Sequence, residues 1–414
     1  MNIIKKNIKI AHLSFDLSAG AGVYITRFHK FLHQKNIKSK IFTNSKIKDS
    51  KIETLNSQNL ILRVYFNFIK KINFFFLKNK NKYSFYFKWF YLINHLKELD
   101  AIYKFRPNFL IIYNNNSFIN YNLILKLQKK LNLKIIIYPL DMEPITGGCH
   151  YFWDCQNFKK GCIKCPAVIS PLQNQVKKNM QIKTDFYKRS NLGLISGTKT
   201  LSKIIKGSSI WQSKKNLLTL YSGIDKKIFY PRIIYDKKFN VLYRSSFNLR
   251  KGEHILKETL LKLLNDSQFK SKINFIVIGS NSINDFLQKN NFNYKYLGAP
   301  QNDKDLSNIY KQSDFFLNTS IQDGGPMMIN EAIMCNLPVI SFPTQLATEA
   351  INKSNGFLIK SNYSQNLSKV LKKISKLNRY QVNKMKNNIN RSLFKKEFDR
   401  EYQFKKFFCF LKKL

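Results

Sequence analysis

Acidic residues are scarce in this chain: 24 Asp and Glu stand against 71 Lys and Arg among 414 residues, which gives a formal net charge of +47. Such an imbalance attracts any polyanion, whether nucleic acid, an anionic bilayer or a nucleotide diphosphate. Lys, Asn, Ile, Phe and Tyr crowd the whole sequence, however, as codon bias in an AT-rich genome would produce. The charge alone therefore does not identify a partner.

Long apolar runs are also missing. No stretch of about 18 uncharged apolar residues is present, so no membrane-spanning helix is predicted. Residues 1–6 lead directly into a predicted strand rather than into the apolar core of a signal peptide. We therefore expect a cytoplasmic protein. No zinc-finger, RNP or helix-turn-helix signature occurs either, so nucleic acid is not predicted as a partner.

Only six cysteines occur, and four of them lie close together. In a reducing compartment, this grouping favours a metal site over disulfides. Four thiolates can close a tetrahedral structural zinc site, and the candidate ligands are Cys149, Cys155, Cys162 and Cys165. Free thiols, an iron–sulfur cluster and replacement of one cysteine by His150 remain alternatives. Cys335 and Cys409 fall on apolar helices and are interpreted as core residues.

Residues 54–97 contain no Asp or Glu, although the segment is rich in lysines and aromatic residues. Six of its lysines, Lys70, Lys71, Lys78, Lys80, Lys82 and Lys88, are interleaved with the aromatic residues Phe74, Phe75, Phe76, Tyr83, Phe85, Tyr86, Phe87, Trp89, Phe90 and Tyr91. Two interpretations are open. The segment could contact an anionic membrane, with its rings at headgroup depth, or the rings could be buried in the first domain.

Strands alternate with helices in both halves of the chain, which predicts an α/β fold with two doubly wound parallel sheets. A chain of this length exceeds the size at which one core keeps growing, so two domains are expected. Strands are predicted at residues 8–15, 109–113 and 134–140, and then at 241–243, 273–279, 294–298, 315–317 and 339–342. Helices are predicted at residues 22–35 and 118–131.

Residues 323–342 join an acidic, glycine-rich loop to a helix and then to a buried strand. Pro326 suits the first helical position, so the helix is predicted to run from there to about Asn336. The amides of Gly324, Gly325 and the first helical turn, with Met327 and Met328, would face an anionic ligand at the positive end of the helix dipole. Glu331 would project toward a ribose.

This segment resembles the donor loop of GT-B fold, nucleotide-sugar-dependent glycosyltransferases, in particular family 4 (group 1) of the retaining enzymes. Other segments carry the same resemblance in the same order. They are residues 146–166 (TGGCHY with the clustered cysteines, as in one subset of the family), 221–231 (GID and then FYP), 250–252 (RKG) and 306–320 (the "L..lY..sDvfl..S" run).

The resemblance implies two Rossmann-like domains facing each other across a cleft. The N-terminal, acceptor-side domain would span residues 1–230 and include the cysteine-rich insert at 146–166. The donor domain would span residues 231–390. The C-terminal helix at 391–414 would pack back on the first domain.

The resemblance also implies residue roles. Lys251 and Arg244 would stabilise the diphosphate leaving group without a metal, with Arg250 as the alternative arginine. Glu331 would hold the ribose hydroxyls. The sugar and phosphates would contact Asp323, which stands where the family usually has Glu, together with Gly20, Gly22, Gly324, Gly325, Pro326, Met327 and Met328. Asp141 or Glu143 would contact sugar, because Leu140 occupies the place of the histidine found in many relatives.

The implied function is transfer of a hexosyl group, with retention, from a nucleotide-diphosphate sugar to a glycan or lipid-linked glycan. Cell-surface polysaccharide assembly, such as that of lipopolysaccharide, is the expected setting, with the enzyme cytoplasmic and peripheral to the inner face of the cytoplasmic membrane. No catalytic metal is expected, and Asp303 and Asp305 are interpreted as helix-start acids. A catalytically inactive GT-B-like binding or scaffold protein is the alternative.

Overall fold

The computed structural model describes residues 8–17, 19–43, 45, 51–54, 64, 68, 71–72, 75–80, 82–85, 96–114, 120–211, 216–232, 238–390 and 392–414. The chain divides into two compact units. The first comprises Met1–Leu220 with Cys409–Leu414, and the second comprises Tyr221–Phe408. This division falls earlier than the boundary expected near residue 230, and only the last six residues join the first unit.

The first unit is built on a seven-stranded parallel sheet in the order β3-β2-β1-β4-β5-β6-β7. Its strands are β1 (Lys9–Ser14), β2 (Lys38–Thr43), β3 (Ile52–Thr54), β4 (Phe109–Asn114), β5 (Lys134–Ile137), β6 (Leu192–Ser196) and β7 (Leu217–Thr219). Its helices are α1 (Ala19–Gln34), α2 (Leu96–Phe105), α3 (Tyr121–Leu131), α4 (Gln173–Arg189) and α5 (Lys199–Gly207). The strands predicted from apolar runs are confirmed as β1, β4 and β5.

The second unit has a six-stranded parallel sheet in the order β10-β9-β8-β11-β12-β13. The strands are β8 (Phe239–Ser245), β9 (Ile273–Gly279), β10 (Tyr294–Tyr296), β11 (Phe315–Asn318), β12 (Val339–Ser341) and β13 (Gly356–Leu358). The helices are α6 (Glu253–Leu261), α7 (Ser267–Lys272), α8 (Asn284–Lys289), α9 (Asp303–Lys311), α10 (Met327–Met334), α11 (Gln345–Ala350), α12 (Tyr363–Ser375), α13 (Arg379–Asn390), α14 (Leu393–Glu397) and α15 (Arg400–Leu411).

Apolar layers cover both faces of the second sheet, which explains why its strands read as continuous apolar runs. In β8, Leu242 packs into one layer, while its neighbours Val241 and Tyr243 pack into the other. The sheet also places β8 between β9 and β11. The strand order therefore reverses at β8, and ligands of doubly wound sheets bind outside the carboxyl ends of the strands at such a point.

The structure describes only part of residues 54–97, the basic aromatic segment. Phe85 is buried, whereas Val64, Phe68 and Phe75 expose 62%, 58% and 72% of their surface. Lys70, Phe74, Tyr86, Phe87, Lys88, Trp89, Phe90 and Tyr91 lie outside the described residues. In the part of the chain that the structure describes, no helix has the length and apolarity needed to cross a bilayer.

Candidate active site

Two loops meet at the carboxyl ends of β8 and β11, which are parallel neighbours. The first loop ends in a 3₁₀ turn, Leu249–Lys251, and the second follows Asn318. The Arg250 carbonyl accepts a hydrogen bond from the Ile321 amide at 2.8 Å, and the Thr319 hydroxyl donates to the Lys251 carbonyl at 2.7 Å. These bonds hold the basic loop and the acidic loop together.

Lys251, Arg250 and Asp323 form the charged centre of this site. Lys251 Nζ lies 2.6 Å from Asp323 Oδ2, and Arg250 Nη1 lies 3.3 Å from the same oxygen. Burial alone would raise the pKa of Asp323, but the two cations and the Gly325 amide hold it at about 2. Burial lowers the pKa of Lys251, an effect that Asp323 opposes and that Arg250 and Arg244 reinforce. The structure thus brings Lys251 and Asp323 into contact, and their roles toward a donor stay predictions.

Glycine is required where the basic loop turns into α6. Gly252 has φ +69°, and a Cβ there would lie 2.0 Å from the Thr319 carbonyl oxygen. A side chain at this position would push the two loops apart. The sequence marked this glycine only as part of a motif, because its close contact is with Thr319, in the loop after β11.

The acidic loop leads into α10. Asp323 Oδ1 accepts a hydrogen bond from the Gly325 amide at 3.2 Å. Pro326 is the residue before the helix rather than its first residue, and its carbonyl accepts the first helical bond, from Ile329. The helix ends at Met334, somewhat before the predicted Asn336. The amides of Met327 and Met328 lie in the first turn, where the backbone N–H groups have no acceptor within the helix.

Glu331 lies inside this helix and is 1% exposed. Tyr310 donates a hydrogen bond from its hydroxyl to Glu331 Oε2 at 2.8 Å and also contacts the Met328 carbonyl at 3.2 Å. The carboxylate is thus oriented by a buried tyrosine from α9. Its contact with a ribose stays a prediction.

Arg244 is near this centre but does not share its ion pairs. The residue is exposed on β8, and its side chain passes beside Gly279 at the end of β9, where a Cβ would lie 3.4 Å from Arg244 Cγ. The structure therefore brings Arg250, rather than Arg244, into direct contact with Asp323. Both arginines affect the pKa of Lys251.

Glu253 supports the basic loop and was missed by the sequence analysis. Its Oε2 accepts hydrogen bonds from the Ser245 and Ser282 hydroxyls at 2.6 and 2.9 Å and from the Ser246 amide at 3.1 Å. In the sequence, this role was indicated by an acidic residue directly after Gly252. Its partners come from separate loops, which only the fold brings together.

Asp141 belongs to the first unit and is 4% exposed. It accepts a hydrogen bond from the Glu143 amide at 2.8 Å, and its Oδ2 lies 2.8 Å from His150 Nδ1. Glu143 is itself paired with the buried Lys183, which the sequence analysis also missed. The sugar contacts expected of Asp141 and Glu143 are not tested by these bonds.

Gly20 and Gly22 lie in the first turns of α1 rather than in a loop before it, since the helix begins at Ala19. Gly22 has a steric role, because a Cβ there would lie 1.7 Å from the Leu17 carbonyl oxygen. Gly20 is exposed, and a Cβ there would have no atom within 4 Å. Contact of either glycine with phosphate remains a prediction.

The four clustered cysteines are free thiols. Cys149 and Cys165 share a hydrogen bond, while Cys162 accepts from the Gly147 amide at 3.2 Å and Cys155 from the Asn157 amide at 3.4 Å. Burial raises the pKa of Cys162 to about 12.

The structure does not show the zinc site predicted at Cys149, Cys155, Cys162 and Cys165. Within the described ranges, no three or more His, Cys, Asp or Glu side chains are arranged to hold a metal ion. The sulfurs bond to one another or to amides of their own loops, and zinc binding by this insert stays a prediction.

Residues 225–392 match the family model described as "Glycosyl transferases group 1". The match covers nearly all of the second unit, including the basic loop, the acidic loop and α10. None of the curated proteins compared with the chain matches its sequence.

Solved structures resemble the whole chain. HepE from Anabaena in complex with UDP-glucose shares 13% identity at a TM-score of 0.67, over 99% of this chain and 100% of that chain. Sucrose-phosphate synthase from Thermosynechococcus elongatus shares 13% identity at 0.65, over 98% of each chain. The lipopolysaccharide outer core galactosyltransferase WaaB shares 14% identity at 0.56, over 98% of this chain and 99% of that one. The chain therefore has the GT-B fold of these proteins, and residues 225–392 match the group 1 glycosyl transferase family.

Proposed function

We propose that this enzyme transfers a hexosyl group, with retention, from a nucleotide-diphosphate sugar to a glycan or lipid-linked glycan during cell-surface polysaccharide assembly. The observation that carries the proposal is the Lys251, Arg250 and Asp323 centre beside the start of α10. The similarity to HepE, whose structure contains UDP-glucose, supports the donor class. The similarity to WaaB supports the acceptor class.

In the proposed reaction the bond between the sugar C1 and the phosphate oxygen breaks, and its electron pair leaves with the diphosphate. The acceptor oxygen bonds to C1 on the same face and passes its proton to the departing phosphate oxygen. Lys251, with Arg250 or Arg244, stabilises the charge that develops on the diphosphate, so the chemistry needs no divalent metal. First-turn amides of α10 bind phosphate oxygens.

A thermal-shift screen against UDP, GDP, ADP and their common sugar conjugates tests the donor class. One nucleotide family should raise the melting temperature of the native protein, because a ligand that binds only the folded state stabilises it. Lys251→Ala should abolish this shift and reduce turnover by about 100-fold or more, as loss of a charge stabiliser does. Lys262→Ala serves as the control, because this lysine is exposed and pairs with Glu258 on α6.

Glu331 needs a second pair of variants, because it is buried. Glu331→Ala should remove the donor-dependent shift if the carboxylate holds the ribose. Tyr310→Phe removes only the bond that orients it and should weaken donor binding less. Normal donor shifts and turnover in both Lys251→Ala and Glu331→Ala would contradict the proposed site.

We also propose that the basic aromatic segment places the enzyme on the inner face of an anionic membrane. The exposed Val64, Phe68 and Phe75 are spaced four and seven residues apart at helical positions, and Lys71, Lys78 and Lys80 beside them are exposed. Such a face would insert its apolar side chains while the ammonium groups contact lipid phosphate.

Sedimentation with vesicles tests this contact. The protein should bind phosphatidylglycerol-containing vesicles, and Phe68→Ser with Phe75→Ser should reduce the bound fraction severalfold. The matched control is Leu261→Ser with Tyr380→Ser, which removes exposed apolar side chains from the second unit. Equal binding by both double variants would show that charge alone attracts the vesicles.

A further inference from the structure

The Asp323 carboxylate occupies the place that the proposed function gives to the donor phosphates. Its Oδ2 lies 2.6 Å from Lys251 Nζ and 3.3 Å from Arg250 Nη1, and its Oδ1 accepts a hydrogen bond from the Gly325 amide at 3.2 Å. Cationic side chains and loop amides of this kind bind phosphate in proteins. Here the same groups bind a carboxylate of their own chain.

Charge interactions in this place are strong, because the three side chains are largely withdrawn from water. Asp323, Arg250 and Lys251 are only 11%, 21% and 23% exposed. Salt screens partly buried charges much less than exposed ones. A phosphate that contacts Lys251 and Arg250 must therefore displace the Asp323 carboxylate or lie beside a charge of its own sign. In both cases Asp323 opposes phosphate binding.

Other bonds hold the two loops together without the charge of Asp323. Arg250 Nη1 also donates to the Gln322 carbonyl at 3.1 Å, and the Arg250 carbonyl accepts from the Ile321 amide at 2.8 Å. The Lys251 carbonyl accepts from the Thr319 hydroxyl at 2.7 Å. An asparagine at position 323 could still accept from the Gly325 amide. Replacing the carboxylate by an amide thus changes the charge of the site and keeps these bonds.

We propose that Asp323 is an internal competitor of the donor, whose carboxylate pairs with Lys251 and Arg250 until the donor diphosphate replaces it. This inference rests on the proposed function, because it takes the donor to be a nucleotide-diphosphate sugar. It gives Asp323 a regulatory role that is distinct from the sugar contact expected of it. The same competition helps the nucleoside diphosphate to leave after transfer.

Calorimetric titration of the full-length protein with inorganic pyrophosphate, at fixed ionic strength, tests this role whatever the nucleotide is. Asp323→Asn should bind pyrophosphate about tenfold or more tightly than the native protein, because a like charge is removed from the site. Asp323→Glu keeps the charge and should return the affinity towards the native value. The control is Glu258→Gln, which removes a carboxylate that is 58% exposed on α6 and should change little. The nucleoside diphosphate identified by the thermal-shift screen should show the same order of affinities.

Two kinds of failure are distinguishable. If the native protein binds pyrophosphate and Asp323→Asn binds it equally or more weakly, the competition is overturned and the proposed function stands. Weaker binding would mean that Asp323 orients the two cations. Equal tightening by Glu258→Gln would also overturn the competition, since it would indicate general attraction to a basic protein. If neither the native protein nor Asp323→Asn binds pyrophosphate or any nucleotide, the anion site itself is wrong, and the proposed function fails with it.

Discussion

Lys183 is a fully buried charged residue, and its chemistry shows how one residue holds the cysteine-rich part of the first unit. Its Nζ lies 2.6 Å from Glu143 Oε1, with both side chains almost inaccessible to solvent, and also donates to the Glu143 and Thr146 carbonyls. The ammonium thereby fixes the chain between Asp141 and the cysteines. Because both charges lose their hydration, such a pair adds little net stability to the fold. Removing one partner is costly, because the other charge then stays buried without it.

Lys183→Met should therefore destabilise the protein by about 3–5 kcal/mol, because the buried Glu143 carboxylate would lose its ammonium partner. Urea unfolding followed by circular dichroism measures the change. The double variant Lys183→Met with Glu143→Leu should recover much of the loss. A cost below about 1 kcal/mol for the single variant, as for an exposed pair, would contradict this account.

At the scale of elements, helix α1 contains one glycine that packing requires and one that packing does not require. Gly22 approaches the Leu17 carbonyl, whereas Gly20 faces open space two residues earlier in the same helix. The two positions share helical conformation and residue type, so they form a matched pair. Comparing variants at the two positions also distinguishes a steric role of glycine from a role in phosphate binding.

Gly22→Ala should destabilise the protein by more than about 2 kcal/mol, because the backbone at Leu17 must move to admit a methyl group. Gly20→Ala should be neutral or stabilising by up to about 1 kcal/mol, since alanine loses less conformational freedom in a helix. Thermal unfolding measures both. Similar losses in the two variants would contradict the steric assignment.

Strands were predicted correctly where the apolar run is continuous. They were missed where lysine or glycine interrupts the run. β9 was predicted with its observed bounds, Ile273–Gly279. β2 has lysines at its start, and β6 contains Gly193, where a Cβ would lie 2.8 Å from the Phe410 and Leu414 side chains. Glycine weakens a strand pattern, and the reason for this one lies in residues at the far end of the chain.

At the scale of the whole molecule, a buried histidine cluster makes stability depend on pH. His12 contacts the Tyr113 hydroxyl and the Ser39 hydroxyl, both at 2.9 Å, and His29 contacts the same serine at 2.8 Å. Burial, followed by repulsion from His29 and His33, lowers the pKa of His12 well below its ordinary value of 6.5. The unfolded chain therefore binds a proton that the folded chain does not.

Stability should thus be retained above pH 6.5 and fall as the pH drops below it, by up to about 1.4 kcal/mol per pH unit for this group. Melting temperatures between pH 7.5 and 5 measure the effect at constant ionic strength. His12→Gln should flatten the dependence, whereas His254→Gln, on the second unit, should not. An equal slope in the His12→Gln variant and the native protein would exclude His12 as the cause.

The sequence by itself determined the alternation of strands and helices, the residues of the basic and acidic loops and the resemblance to a glycosyltransferase family. These features are local, because periodicity, glycine and proline placement and short motifs act over a few neighbouring residues. Only the tertiary structure decided that Arg250 shares Asp323 with Lys251, that Glu253 accepts bonds from hydroxyls of separate loops and that Cys149 hydrogen-bonds Cys165. Those outcomes depend on distances between residues far apart in the chain, which sheet order and packing set and which no local pattern encodes.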